Sequence, residues 1–191
     1  MRLLRAAART PVPWKNGGGV TSEIAVSPPG ASFDDFDWRI SMARVDADGP
    51  FSSFPDIDRT LTILSGTMTL DIDGSVVRLD AGSPPCRFDG AAAVMGTVAG
   101  PVHDLNTMTR RRSCRHLVTV LRIDRDLRLP ARRTVRLLFA CDAGIAANGI
   151  ALFQHDAVLL AAGRTPLHLR AASPARAVLI DLWDRPARSQ A

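Results

Sequence analysis

The sequence predicts an all-β chain made of two similar halves, and three observations carry that expectation. Short alternating runs ended by Gly, Pro or Asp recur along the 191 residues, sustained helical periodicity is hard to find, and a strand-turn-strand pattern is repeated. The clearest run is TMTLDIDGSVVRL, where Met68, Leu70 and Ile72 share one face and Thr67, Thr69 and Asp71 the other. Asp73-Gly74 supplies a tight turn, and Val77 and Leu79 continue on the returning strand. The order strand, turn, strand, Ala-Gly bend in LTILSGTMTLDIDGSVVRLDAGSPPCRF returns loosely in RLLFACDAGIAANGIALFQHDAVLLAAGRTPLHL. Each copy is followed by an apolar strand, VHDLNTM or AVLIDLW, so two β-sandwich or small-barrel halves fit better than a solenoid. Residues 1–112 are expected to form the first half, holding the ligand cavity, and residues 113–191 the second.

Composition narrows the function classes. Hydrophobic residues make up 46% and charged residues 23%, which suits a globular chain. No apolar run approaches the roughly 20 residues of a membrane helix, and MRLLRAAARTPVPW lacks the apolar centre of a secretory signal, so a cytoplasmic location without membrane contact is expected. Cys86, Cys114 and Cys141 form no CxxC pair, and His103, His116, His155 and His168 form no HxH or HExxH group. Neither a metal nor another cofactor is expected. The net charge of +5 is uneven: residues 1–100 carry 9 basic and 12 acidic side chains, residues 101–191 carry 15 and 7. The excess lies between Arg110 and Arg136, where neither stacking aromatics nor a recognition helix accompanies it, so a solvated arginine-rich face is expected in place of a nucleic-acid site.

Taken in chain order, the first segment with chemical interest is PWKNGGGVTSE, residues 13–23. Lys15 is the only lysine, which suggests a place needing a point-like ammonium where the other basic residues are planar arginines. Three glycines permit positive φ angles and close backbone approach, yet the lysine precedes them, unlike a P-loop, and a plain turn before VTSEIAV is the competing reading. In FDWRISMARV, parity groups Trp38, Ile40 and Met42 and places Arg39 with Ser41 on the other side, which reads as a wet face. In DRTLTILSG, Arg59 falls in step with Leu61 and Ile63. CRFDG adds Phe88, a candidate wall, before an Asp89-Gly90 turn. In VHDLNTM, Asp104 and Asn106 alternate with Val102 and Met108 on an apolar face, so they either line a cavity or pair within an internal network. There is no GxSxG elbow, Cys–His setting or flanked carboxylate pair. Glu23 or Asp104 as base with Lys15 as acid or Schiff-base amine remains open to an enzyme.

The blocks PWKNGGGVTSEIA, FDWRISMARVDADGPFSSFPDIDRTLTILSG, CRFDG and DLNTM, in this order over residues 11–112, resemble the signature of the HutD/Ves family. The resemblance implies a bicupin without the metal-binding histidines of catalytic cupins. Its members accompany histidine-utilisation genes and are thought to bind a pathway intermediate such as formylglutamate or formiminoglutamate and so limit induction. Two positions depart from the pattern: Asp56 stands where the FPGxDR block has glycine, and RRRS replaces RRG after DLNTM. An acid at position 56 is expected to offset part of an anion clamp at Arg59.

The expectation is therefore a small anionic metabolite as partner. Lys15 and Arg59 hold carboxylates, Asn16 and Asn106 bond an amide or formyl group, Asp104 orients a donor or an arginine, and Trp14 and Phe88 form apolar wall. The alternatives are a cofactor-free hydrolase, isomerase or lyase acting on a small carboxylate, and a basic scaffold for nucleic acid.

Overall fold

The computed structural model describes residues 1–185, which separate into two compact units, Thr10–Arg115 and Met1–Arg9 with His116–Asp184. Both are built from β-strands, and no helix among the described residues is long and apolar enough to cross a membrane.

The unit Thr10–Arg115 stacks a six-stranded sheet on a four-stranded one. Across the larger sheet run Val12–Pro13, Gly19–Ser27, Trp38–Val45, Val102–Arg110, Ile57–Ser65 and Cys86–Asp89. The smaller contains Gly49–Pro50, Val94–Val98, Thr67–Ile72 and Ser75–Asp80. Alternation explains the stacking: Leu61, Ile63, Val45, Val102 and Phe88 from the large sheet bury against Met68, Leu70, Leu79 and Val94 from the small one. Asp73 and Gly74 take φ of 50° and 85°, so the hairpin expected from TMTLDIDGSVVRL closes through a turn with both central residues left-handed.

In the second unit, Arg2–Leu4, Ala157–Leu160, Val135–Ala140, Ala175–Asp184 and Cys114–Ile123 form one sheet, and Asp126–Leu129, Leu167–Ala171, Ile145–Ala147 and Ile150–Leu152 the other. Asn148-Gly149, at φ of 47° and 83°, repeats the tight hairpin turn of the first unit. Leu138, Ala140, Val158, Leu169 and Leu179 centre its core.

The opening residues belong with this second unit and not with the half that follows them in sequence. Arg2–Leu4 pairs antiparallel with Ala157–Leu160, and buried Asp156 accepts the Ala6 N–H at 2.7 Å, Arg5 Nη1 at 2.6 Å and the Phe153 N–H at 3.0 Å. One carboxylate thus satisfies donors from both ends of the chain.

The departure at Asp56 has a conformational explanation. Its φ is 63°, in the left-handed region that costs most residues about 1 kcal/mol or more and glycine almost nothing. The side chain is exposed, so the residue's oddity lies in its backbone. Asp56→Gly is expected to raise stability by about 0.5 kcal/mol, less than the full backbone cost because glycine also loosens the unfolded chain; a thermal melt showing a lower Tm would refute this reading.

Candidate functional site

Strand register decides which side chains meet on the core-facing side of the large sheet. One row crossing five strands reads Val26, Arg39, Met108, Arg59 and Phe88. The next reads Glu23, Ser41, Asn106, Leu61 and Cys86, and the third Thr21, Ala43, Asp104 and Ile63. With strands about 4.8 Å apart, Arg39 and Arg59 stand two strands, or roughly 10 Å, from each other along one row. Asn106 and Asp104 follow on the rows below.

Arg59 is the centre of this arrangement. Only 4% of it is exposed, and Phe51, Phe54 and Phe88 surround the guanidinium at 5.3, 5.6 and 5.0 Å from Cζ to ring centroid. Aromatic faces attract a cation, but they replace only part of its hydration. Nη1 donates to the Ser52 carbonyl at 3.2 Å, Nε has no partner, and Arg59 forms no ion pair among the described residues. Burial lowers its pKa to about 10, against the pull of Asp104. The guanidinium therefore stays charged at neutral pH without a direct counter-ion.

Two neighbours share that unfinished character. Asn106 Oδ1 is buried and lacks a hydrogen-bond partner. Asp104, 2% exposed, is pushed up to about 7 by burial, with the charge of Arg59 opposing the rise. Arg39 is better provided: Nη2 meets Glu23 Oε2 at 3.0 Å, and Cζ lies 4.2 Å from the Phe33 centroid. The face thus offers an unpaired donor, an unpaired acceptor, a carboxyl near half-ionisation and a second arginine whose partner carboxylate is partly solvated.

The candidate residues read from the sequence fall into two groups. Arg59, Phe88, Asp104 and Asn106 share this face, and Trp14 packs at the margin of the same core. Lys15 and Asn16 do not join them: both are exposed on the turn, and Lys15 has no ion pair among the described residues. The glycines serve that turn. Gly17 has φ of 70°, the Gly18 N–H donates to Asn16 Oδ1 at 3.1 Å, and a Cβ on Gly19 would lie 2.3 Å from the Arg44 carbonyl and 3.2 Å from the Trp14 ring. Trp14 can then lie across Gly19 and donate from Nε1 to Thr21 Oγ1 at 2.7 Å. Asn16 acts here as a turn-forming side chain, its Oδ1 accepting the Gly18 N–H.

Arg39 is the functional candidate that parity alone misplaced, and the sequence marks its partner Glu23 only as a possible base. Trp38–Val45 is buried on both faces, with Trp38 and Ile40 on one and Ser41, Ala43 and Val45 on the other, so alternation could not tell a wet face from a cavity face. Nor is the arginine run simply solvated. Arg110 donates to the Phe36 and Asp34 carbonyls at 2.9 and 2.7 Å, and Arg111 binds Asp58 at 2.8 Å and meets Asp89. A separate shallow depression of about 680 Å³ shares Phe51 with the arginine cluster, but it presents Asp71 and Asp73 and so suits an anion poorly.

Comparison with known proteins gives a consistent picture. A family model described as HutD matches residues 6–179. An uncharacterised 21.2 kDa protein in the hutC 3′ region of Pseudomonas putida is 33% identical over 147 residues, covering 76% of each chain. Protein Ves of Citrobacter koseri is 37% identical over 110 residues, 56% of each chain. Among solved structures, HutD from Pseudomonas fluorescens SBW25, in a formate condition, superposes with a TM-score of 0.84 at 28% identity, covering 97% of this chain and 99% of that one. The fold alone is shared with a Cupin 2 conserved barrel domain protein from Leptotrichia buccalis, TM-score 0.61 at 10% identity over 90% of this chain and 92% of that one.

Proposed function

This chain belongs to the HutD family, and on that premise we propose that the core-facing sheet of its first unit binds a small metabolite carrying both a carboxylate and an N–H donor. Formylglutamate and formiminoglutamate have this chemistry, and the bound state limits histidine utilisation in the cytoplasm. The relative encoded in a hutC 3′ region supports the pathway, and the family resemblance supports the regulatory role.

The observation that carries the reading is the pair of unpartnered buried atoms, Arg59 Nε and Asn106 Oδ1. A buried polar atom left without a partner costs about 1–3 kcal/mol, and a ligand that completes both recovers that cost. The carboxylate accepts from Arg59, and the ligand N–H donates to Asn106. Arg39, released from Glu23, takes a second carboxylate roughly 10 Å across the row. Charge-assisted bonds of about 1.5–3 kcal/mol each, less the cost of ordering, place affinity in the micromolar range. Because Arg59 is so little exposed, the ligand displaces part of the Phe51 and Phe54 wall on entry.

One observation favours a second reading. A carboxyl titrating at about 7 is suited to proton transfer, so Asp104 could serve as general base in a cofactor-free enzyme. Calorimetry with formylglutamate, formiminoglutamate and glutamate, run beside product analysis, separates the two. Saturable heat without product is expected; turnover would establish the enzyme, and absence of heat with all three would overturn both readings. Lys15→Met is expected to change affinity by no more than about threefold, as for other exposed charges. A larger loss would return the turn to the site.

A further inference from the structure

Four sheets give eight edge strands, and seven of them, among the described residues, are two to six residues long. The eighth is Cys114–Ile123, ten residues at the end of the five-stranded sheet of the second unit. Short edges, prolines, bulges and central charges are the usual protections against pairing with another chain. Between Arg115 and Arg122 this strand has no proline, glycine or charged Asp, Glu, Lys or Arg, and Leu117 on it is 52% exposed.

Its sequence is also self-complementary. LVTVL, residues 117–121, reads identically in both directions. Two copies placed antiparallel about a two-fold axis at Thr119 set Thr119 against itself, Leu117 against the other copy's Leu121, and Val118 against Val120. Thr–Thr and aliphatic cross-strand pairs both stabilise an antiparallel ladder, and an isologous contact needs this kind of self-matching surface. Leu121 already packs at the margin of the second unit's core, so the exposed Leu117 would gain an apolar neighbour that continues that core.

We propose that the Cys114–Ile123 edge pairs with the same edge of a second copy of this chain, in the register that places Thr119 on the two-fold axis. A single strand pair buries less than the roughly 800 Å² per partner of a stable complex, so the dimer is concentration-dependent. Every other edge is too short or, at Ser75–Asp80, carries Arg78 and Asp80.

The test combines sedimentation of the full chain with cysteine cross-linking. Wild type is expected to shift from monomer to dimer along a dilution series. Thr119→Cys is expected to give a covalent dimer under mild oxidation, since opposed Cα atoms across a ladder lie about 4.5–5.5 Å apart. Leu117→Cys should not, because in this register it meets its own copy about 14 Å away along the strand. Thr119→Arg should be monomeric with an unchanged melting curve, which distinguishes loss of pairing from loss of folding. A wild type monomeric at every concentration, equal cross-linking at positions 117 and 119, or a dimer persisting in Thr119→Arg would each overturn the proposal.

Discussion

Arg59→Gln is expected to weaken formylglutamate binding by about 30- to 100-fold, the equivalent of roughly 2–3 kcal/mol, while leaving the fold intact. Glutamine keeps a polar amide at about the position of Arg59 Nε, but it is two bonds shorter than Nη1, which now donates to the Ser52 carbonyl, and it offers the carboxylate no positive charge. Arg59→Lys recovers the charge without the planar fork and should fall between the two. The three rings around Cζ sharpen the prediction, since they fit the flat guanidinium and would hold an ammonium less well. Removing a buried cation also removes its desolvation cost, so the variant is expected to melt no lower than wild type. Titration calorimetry with a parallel melt checks both halves. An unchanged affinity would show that the carboxylate binds elsewhere.

The second large effect concerns pH. Burial raises the Asp104 carboxyl from its ordinary value to about 7. A carboxyl whose folded pKa is raised favours the folded state in its protonated form. Its contribution is therefore full below about pH 4, where both states are protonated, and is lost as pH rises towards 7. The span from 3.8 to about 7 corresponds to a contribution on the order of 4 kcal/mol. Asp104→Asn removes this titration, so the stability difference between variant and wild type should move in the variant's favour from pH 4 to pH 8. Using the difference cancels the other carboxylates. The charged group acting on Asp104 is Arg59, which opposes the rise. Ligand affinity should follow the same titration, because a neutral Asp104 leaves the Arg59 charge uncompensated: anion binding is stronger below pH 7 and weaker above it. A flat difference curve across this window would mean that the carboxyl ionises normally.

Much of the fold was legible because it rests on local rules. Asp73-Gly74 and Asn148-Gly149 specify tight turns by themselves, and the alternation of Met68, Leu70 and Leu79 names the core face. Arg2–Leu4 was not legible, since a three-residue strand shows no alternation and its partner, Ala157–Leu160, is over 150 residues away. At the site, parity placed Arg59, Asp104 and Asn106 on one face because each interrupts an apolar alternation. It failed for Arg39, whose strand is buried on both sides. The lone lysine gave no positional signal, because rarity in composition carries no information about position; the turn around Lys15 is explained by Gly17, Gly19 and the seat they make for Trp14. At position 56 the acid matters through its backbone angle, which charge counting cannot reveal.

The central claim is that a buried guanidinium without a counter-ion is held ready for a ligand carboxylate. A crystal structure of the chain soaked with formylglutamate tests it most directly. A carboxylate oxygen is expected within about 2.7–3.2 Å of Arg59 Nε, with the ligand N–H turned to Asn106 Oδ1. Ligand density confined to the turn at Lys15, or an Arg59 Nε bonded only to water in a crystal with ligand bound elsewhere, would contradict it.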